Sequence, residues 1–296
     1  MPNRKVLHYD AFSSVANMGN PAGVVLEADD LDERAMQAIA EKVGFNETVF
    51  IMSSTKADLR LRYFTPGHEI NLCGHATVAS MYCLKTLGLL QNKNSIMIET
   101  NVGILPISFA NKKGELFITM KQDHPRFVPF HGSISALAES MGLPEDTIDI
   151  SKPIVYGSTG TWTLLIPMKG LDLFTRMNPK NEMFPEVLLE NPRSSIHPFC
   201  TETMDKNAFM HARHFSSPYS GTKEDAITGT ASGVMGAYYL TYLNESGNSA
   251  DFYIEQGQEI GRDGRVHVQV IRNENNLDVY ISGTGVFVQE FEVQYA

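Results

Sequence analysis

Cysteine, concentrated basic charge and long apolar runs are all scarce in this 296-residue chain. The three cysteines, Cys73, Cys83 and Cys200, form no CxxC pair, so neither a disulfide framework nor a zinc cluster is expected. HExxH is absent, and His211 and His214 have no third metal ligand near them in sequence; they read as surface or strand histidines. Basic residues number 24 against 34 acidic ones, a net charge of −10, with no Lys/Arg-rich stripe. Nucleic acid is a poor partner for such a chain, because binding it depends on neutralising phosphates. No apolar run approaches the ~20 residues that cross a bilayer. The first residues show no signal-peptide pattern. The expected setting is therefore the cytoplasm, without membrane contact.

What is present is an alternation of short strands with two apolar helices. Val6–Phe12 reads as a first strand, and Asn17–Gly23 as a turn. Asp32 can cap a helix that ends at Gly44. Phe45–Met52 is an apolar strand with Asn46 and Glu47 at its entrance, and Asp58–Phe64 alternates as a half-exposed strand does. The stretch Phe64–Thr77 reads as a loop running to Gly74, where a helix begins that is apolar on nearly every side and hence buried. Asn111–Gly114 has the composition of a hairpin turn. Gln122–Phe130 reads as a crossing segment, Ser133–Met141 as a helix, and Ala231–Leu243 as the second apolar helix.

The two halves repeat one another. Arg62-Tyr63-Phe64-Thr65-Pro66 matches Arg213-His214-Phe215-Ser216-Ser217-Pro218, and Gly74 matches Gly229. From Gly74 to Glu99 is 25 residues, and from Gly229 to Glu255 is 26. Four extra residues precede Gly229. The repeat predicts an α+β fold of two pseudo-symmetric lobes, each a mixed sheet around one buried helix. The lobes are expected at 1–125 and 126–285, with a final strand, about 286–296, crossing back to the first.

A helix start leaves backbone N–H groups unpaired and carries about +0.5 charge. Two such starts would attract carboxylates and stabilise an enolate, and glycine at each allows close approach of a ligand. The polar residues there are His75, Thr77, Thr228 and Thr230, with Cys73 just before the first start. Glu47 and Asp225 lie among apolar residues, where burial makes a carboxyl group a usable proton carrier. Each has a structural alternative. Glu47 can be a surface acid at a strand end, Asp225 a helix cap, and His75 a loop-bonded helix-start residue. Cys73 can be a small buried hydrophobe, although a helix N-terminus favours thiolate. Cys83 and Cys200 read as structural.

Several spaced motifs together resemble one family. They are Gly19-Asn20-Pro21-Ala22, Asn46-Glu47-Thr48, Phe64-Thr65-Pro66, Cys73-Gly74-His75-Ala76-Thr77, Glu224-Asp225 with Thr228-Gly229-Thr230-Ala231, and Ile281–Val286. In this order they are similar to the PhzF-like phenazine-biosynthesis isomerases, over essentially the whole chain. The resemblance implies a diaminopimelate epimerase-like fold, with a barrel-like sheet around the central helix of each lobe. It implies Glu47 as the proton-shuttling glutamate, His75 and Asp225 as catalytic partners, and Cys73, Gly74, Gly229 and Thr230 as substrate-binding residues. It further implies a cofactor-free, metal-free isomerisation of a small anionic substrate, in the family a dihydro-hydroxyanthranilate, and a homodimer as a common assembly. Two departures stand out: Ala226 replaces the family's Pro, and Thr230 its Ser. Diaminopimelate epimerase uses one cysteine per lobe, but here Cys73 is matched by Thr228. Two further readings remain: an amino-acid racemase or epimerase using Cys73 and Glu47, and a small-molecule binding protein without catalysis.

Overall fold

The computed structural model describes residues 2–112, 114–274 and 276–295. The chain divides into two compact units, Met1–Lys121 with Ser282–Ala296, and Gln122–Ile281. Among the described residues no helix is long and apolar enough to cross a membrane.

The first unit opens with strands β1 (Asn3–Ala11) and β2 (Asn20–Val25), then helix α1 (Glu33–Val43). Helix α1 begins where capping predicts, because the Asp32 side chain accepts from the Ala35 N–H at 2.8 Å, and it ends at Gly44 in the left-handed region. Strands β3 (Glu47–Met52), β4 (Leu59–Phe64) and the two-residue β5 (Glu69–Ile70) follow, then helix α2 (Gly74–Thr86). Strands β6 (Ser95–Thr100), β7 (Gly103–Lys112) and β8 (Glu115–Lys121) complete the run. Strands β7 and β8 pair as a hairpin; the expected turn at 111–114 includes Lys113, which lies outside the described residues. Helix α2 is buried from Gly74 to Met81 and packs on β1, β2, β3 and β8, so the sheet wraps around it. That burial explains its lack of a polar face.

The second unit contains β9 (Arg126–Pro129), helix α3 (Ile134–Ser140), β10 (Val155–Ser158), β11 (Trp162–Pro167), helix α4 (Phe184–Val187), β12 (Ser195–Cys200), β13 (Ala208–Ala212), helix α5 (Gly229–Tyr238), β14 (Ser249–Gln256), β15 (Gly264–Asn273) and β16 (Asn276–Gly283). The last strand, β17 (Gly285–Gln294), returns to pair with β1. Three readings from sequence change here, the first being that the segment read as a turn, 17–23, is strand β2 from Asn20 onward. Part of the segment read as crossing forms β9, paired antiparallel with β10. The second apolar helix begins at Gly229, and its last turn, Tyr239–Leu243, is a π-helix. Gly236 sits where a Cβ would lie 2.4 Å from Val268 Cγ1, so α5 approaches β15 closely because that residue has no side chain.

The repeat holds at the level of pairing. In the first unit β1–β2, β2–β3, β3–β4, β4–β6 and β6–β7 run antiparallel, parallel, antiparallel, parallel, antiparallel. In the second, β10–β11, β11–β12, β12–β13, β13–β14 and β14–β15 follow the same sequence. It extends to side chains. Arg62 grips Glu69 through two bonds of 2.7 Å, and Arg213 grips Glu224 through bonds of 2.9 and 2.7 Å. Phe64 pairs with Glu69 and Phe215 with Glu224. Each glutamate stands five residues before the glycine that opens the buried helix. A planar guanidinium held bidentately fixes orientation as well as distance, so each clamp sets how its loop enters the helix.

Candidate functional site

In the first unit the fold gathers Glu47, Cys73 and His75, with Gly74 between the last two. Glu47 is the first residue of β3 and pairs with Ala22 of β2. Cys73 is the N-cap of α2, and its side chain makes no capping bond. The helix start is held from below: Tyr63 Oη meets Thr77 Oγ1 at 2.7 Å, and the Thr77 hydroxyl donates to the Cys73 carbonyl at 2.7 Å. From above, the Gln37 amide donates to the carbonyls of Thr65 and Pro66, each at 3.0 Å.

Glu47 Oε2 and His75 Nε2 are 3.0 Å apart, with the glutamate side chain 16% exposed and the histidine 5%. The pair lacks hydrogen-bond alignment, and Oε2 is a buried atom with no hydrogen-bond partner among the described residues. Cys73 Sγ lies 3.4 Å from His75 Nδ1 and 3.8 Å from Nε2. One donor atom from each of the three residues falls within 4.8 Å of the others.

Of the two readings of Cys73, the electrostatics favour a small buried group over a thiolate. Burial first, and then the Glu47 charge, push the Cys73 thiol up to about 11. The helix start does not outweigh them, so Cys73 is a neutral thiol at pH 7. Burial alone would lower the His75 pKa, but Cys73 and Glu47 raise it well above the ordinary value.

In the second unit Asp225, Thr228, Gly229 and Thr230 stand at the start of α5. The Thr228 hydroxyl donates to Asp225 Oδ2 at 2.7 Å and makes no cap bond to its own helix. Gln256, at the end of β14, locks this corner. Its amide donates to the Asp225 carbonyl at 2.7 Å and accepts from the Thr228 N–H at 3.1 Å. The Thr230 carbonyl accepts from the Thr159 hydroxyl at 3.2 Å. Behind Asp225, His214 and His197 face each other at 3.2 Å, Nδ1 to Nδ1, both fully or almost fully buried. Burial holds His214 down at about 4, although Asp225 pulls the other way, and holds His197 well below 6.5.

Three structural findings were not anticipated. His211 is a strand residue of β13, one of its two readings, but not a surface one: it is fully buried between Glu255 at 2.8 Å and Glu259 at 2.9 Å. Gln256 gave no signal in sequence, since one amide at a strand end has no pattern. The clamp glutamates did have one, because Arg62 and Glu69 and then Arg213 and Glu224 recur at matching places in the repeat.

Residues 9–291 match the family described as phenazine biosynthesis-like protein, PhzC-PhzF. The uncharacterized isomerase YfhB of Bacillus subtilis is 50% identical over 97% of this chain and 97% of its own. The crystal structure of the Bacillus anthracis phenazine biosynthesis protein, PhzF family, superimposes with a TM-score of 0.97 at 55% identity, covering 99% of this chain and 100% of that one. A hydroxyproline epimerase from Agrobacterium vitis shares the fold, with a TM-score of 0.67 at 14% identity over 99% of this chain and 91% of that one.

Proposed function

Because this chain belongs to the phenazine biosynthesis-like PhzC-PhzF family, we propose that it is an isomerase that moves a proton on a small carboxylate-bearing substrate without a cofactor. The observation that carries the reading is the Glu47 carboxylate. It is mostly buried, one oxygen has no aligned partner, and a histidine held protonated stands 3.0 Å away at an uncapped helix start. Such a carboxylate can take a proton from carbon, and the C–H electrons pass into an enolate. The imidazolium and the first amides of α2 favour the negative charge that develops. Glu47 then returns the proton at another carbon, so no electron leaves the substrate. Similarity to a relative named as an isomerase supports this class of reaction. Asp225, Gly229 and Thr230 take the supporting and substrate-holding roles that the family resemblance implies, with Gln256 positioning the Asp225–Thr228 corner.

The racemase reading with Cys73 and Glu47 as opposing bases is less well supported. Bases on opposite faces of a carbon, each at ~3–3.5 Å, stand about 6–7 Å apart. Here the two donor atoms lie within 4.8 Å of each other, and the thiol is pushed up to about 11.

The test is solvent deuterium exchange, followed by mass spectrometry, on the family's dihydro-hydroxyanthranilate and a panel of small carboxylates that shift the melting temperature. Glu47→Gln should fold and bind as the parent does, yet lose carbon exchange by 10²-fold or more, the lower range for a general base. Parent-level exchange in that variant would remove Glu47 from the role.

A further inference from the structure

We propose that Glu47, Cys73 and His75 together form a site for one divalent, thiophilic cation of the zinc class. The three residue types are those that bind zinc: thiolate sulfur at ~2.3 Å, imidazole nitrogen at ~2.0–2.1 Å and carboxylate oxygen at ~2.0–2.2 Å. Tetrahedral bonds of those lengths put neighbouring donors about 3.3–3.6 Å apart. Around His75 Nε2 the structure has Cys73 Sγ at 3.8 Å and Glu47 Oε2 at 3.0 Å, and all three donors fall within 4.8 Å. Two of the three edges therefore lie within about 0.4 Å of tetrahedral spacing, and the third is no longer than 4.8 Å. A second observation is independent of the spacing. Glu47 Oε2 is a buried carboxylate oxygen that faces His75 Nε2 at 3.0 Å without an aligned hydrogen bond among the described residues, and a cation bound between the two atoms gives that oxygen a directed partner.

The site has no sequence signature. Cys73 and His75 are two residues apart and Glu47 comes from a different strand, so a search for CxxC or HExxH passes over it. Rigid support favours binding. Tyr63, Thr77 and the α2 backbone fix the Cys73–His75 segment, as the partners of metal ligands commonly do. On coordination the Cys73 thiol and His75 Nε2 give up their protons to solvent, and the dication then sits among a thiolate, a carboxylate and a neutral imidazole. Three protein donors leave a fourth position for water, as in open zinc sites. A cation there would occupy the lone pair with which Glu47 takes a proton. That consequence, unlike the binding itself, rests on the isomerase reading.

Cobalt(II) is the probe, because it takes zinc sites and reports its ligands in its spectrum. Titration of the metal-free full-length protein should give one cobalt per chain. The spectrum should show a sulfur-to-cobalt charge-transfer band in the near ultraviolet and the visible bands of a four-coordinate ion, and zinc should abolish both. Cys73→Ser should lose the charge-transfer band, whereas Cys83→Ser and Cys200→Ser should keep it. Glu47→Gln should keep the band but weaken binding by at least about tenfold, the lower range for even an indirect partner of a metal. No band with cobalt in excess, or a band that survives Cys73→Ser, would overturn the proposal. Circular dichroism of each variant separates lost ligation from lost folding. Because no turnover is measured, this outcome is independent of the deuterium-exchange test of Glu47.

Discussion

At Cys73 two opposing influences meet. The start of α2 favours a thiolate, while burial and the nearby Glu47 charge favour the thiol and win, taking the pKa to about 11. At His75, two residues on, burial loses. Cys73 and Glu47 together more than compensate for desolvation, and the imidazole keeps its proton above the ordinary 6.5. A single substitution separates the two effects. In Glu47→Gln the contribution of that charge is gone while burial and Cys73 remain, so the His75 pKa, read from ring resonances by NMR, should fall from its parent value. An unchanged titration would show that Glu47 does not hold that proton. Glu47 and His75 were each ambiguous in sequence, since a lone acid at a strand end and a lone histidine at a helix start both have ordinary uses. Their proximity is a tertiary fact: 28 residues separate them along the chain, and only the β3–β4 pairing and the loop into α2 bring them to 3.0 Å.

The elements that could be read beforehand were those whose pattern is local. The cap at Asp32, the glycine at the end of α1 and the all-round apolar character of α2 need no distant partner. Strand β9 does. Its four residues are partly or fully exposed without alternation, and it is a strand only because β10 lies beside it. The burial of His211 was hidden for the same reason, because its acids are 44 and 48 residues away. The repeat carried more information than any single element, since it located both helix starts. Helix α5 also shows where propensity misleads. Alanine is the better helix former, by about 0.8–1.0 kcal/mol over glycine. At Gly236, however, its methyl would meet Val268 Cγ1 at 2.4 Å, and overpacking of this kind costs about 1–3 kcal/mol. Gly236→Ala should therefore lower the urea midpoint of unfolding with an unchanged slope. A raised midpoint would mean that β15 yields at no cost.

Across the whole molecule, buried histidines act on stability in opposite directions. His197 and His214 are held neutral by burial, with pKa values below 6.5 and at about 4. The stability they contribute is complete above 6.5 and is lost as pH falls towards 4, because the unfolded chain binds the protons they refuse. His211 is the reverse. Burial would lower its pKa, but Glu255 and Glu259 raise it above 6.5. Its contribution is complete below 6.5 and is lost as pH rises through the raised value; His75 behaves likewise. The melting temperature should therefore peak near the ordinary histidine pKa. Replacing His197 and His214 together by asparagine should flatten the acid side of the peak, measured by calorimetry between about pH 6.5 and 4, and leave the alkaline side as it was. An acid side as steep as before would assign the loss to carboxylates instead.

The two arginine clamps differ in one respect: 7 residues separate Arg62 from Glu69, and 11 separate Arg213 from Glu224. The four extra residues of the second half all lie inside its clamp. They are closed off by the Ser216 N–H bond to the Lys223 carbonyl at 3.0 Å, where the first half has Thr65 to His68 at 2.9 Å. Beyond the clamp the register is the same, with each helix opening five residues after its glutamate. The clamp thus works as a socket for an interchangeable cartridge. The loop can gain or lose length and change its chemistry while the helix behind it stays in place, so one half of a duplicated chain was free to diverge at its rim without renegotiating its core.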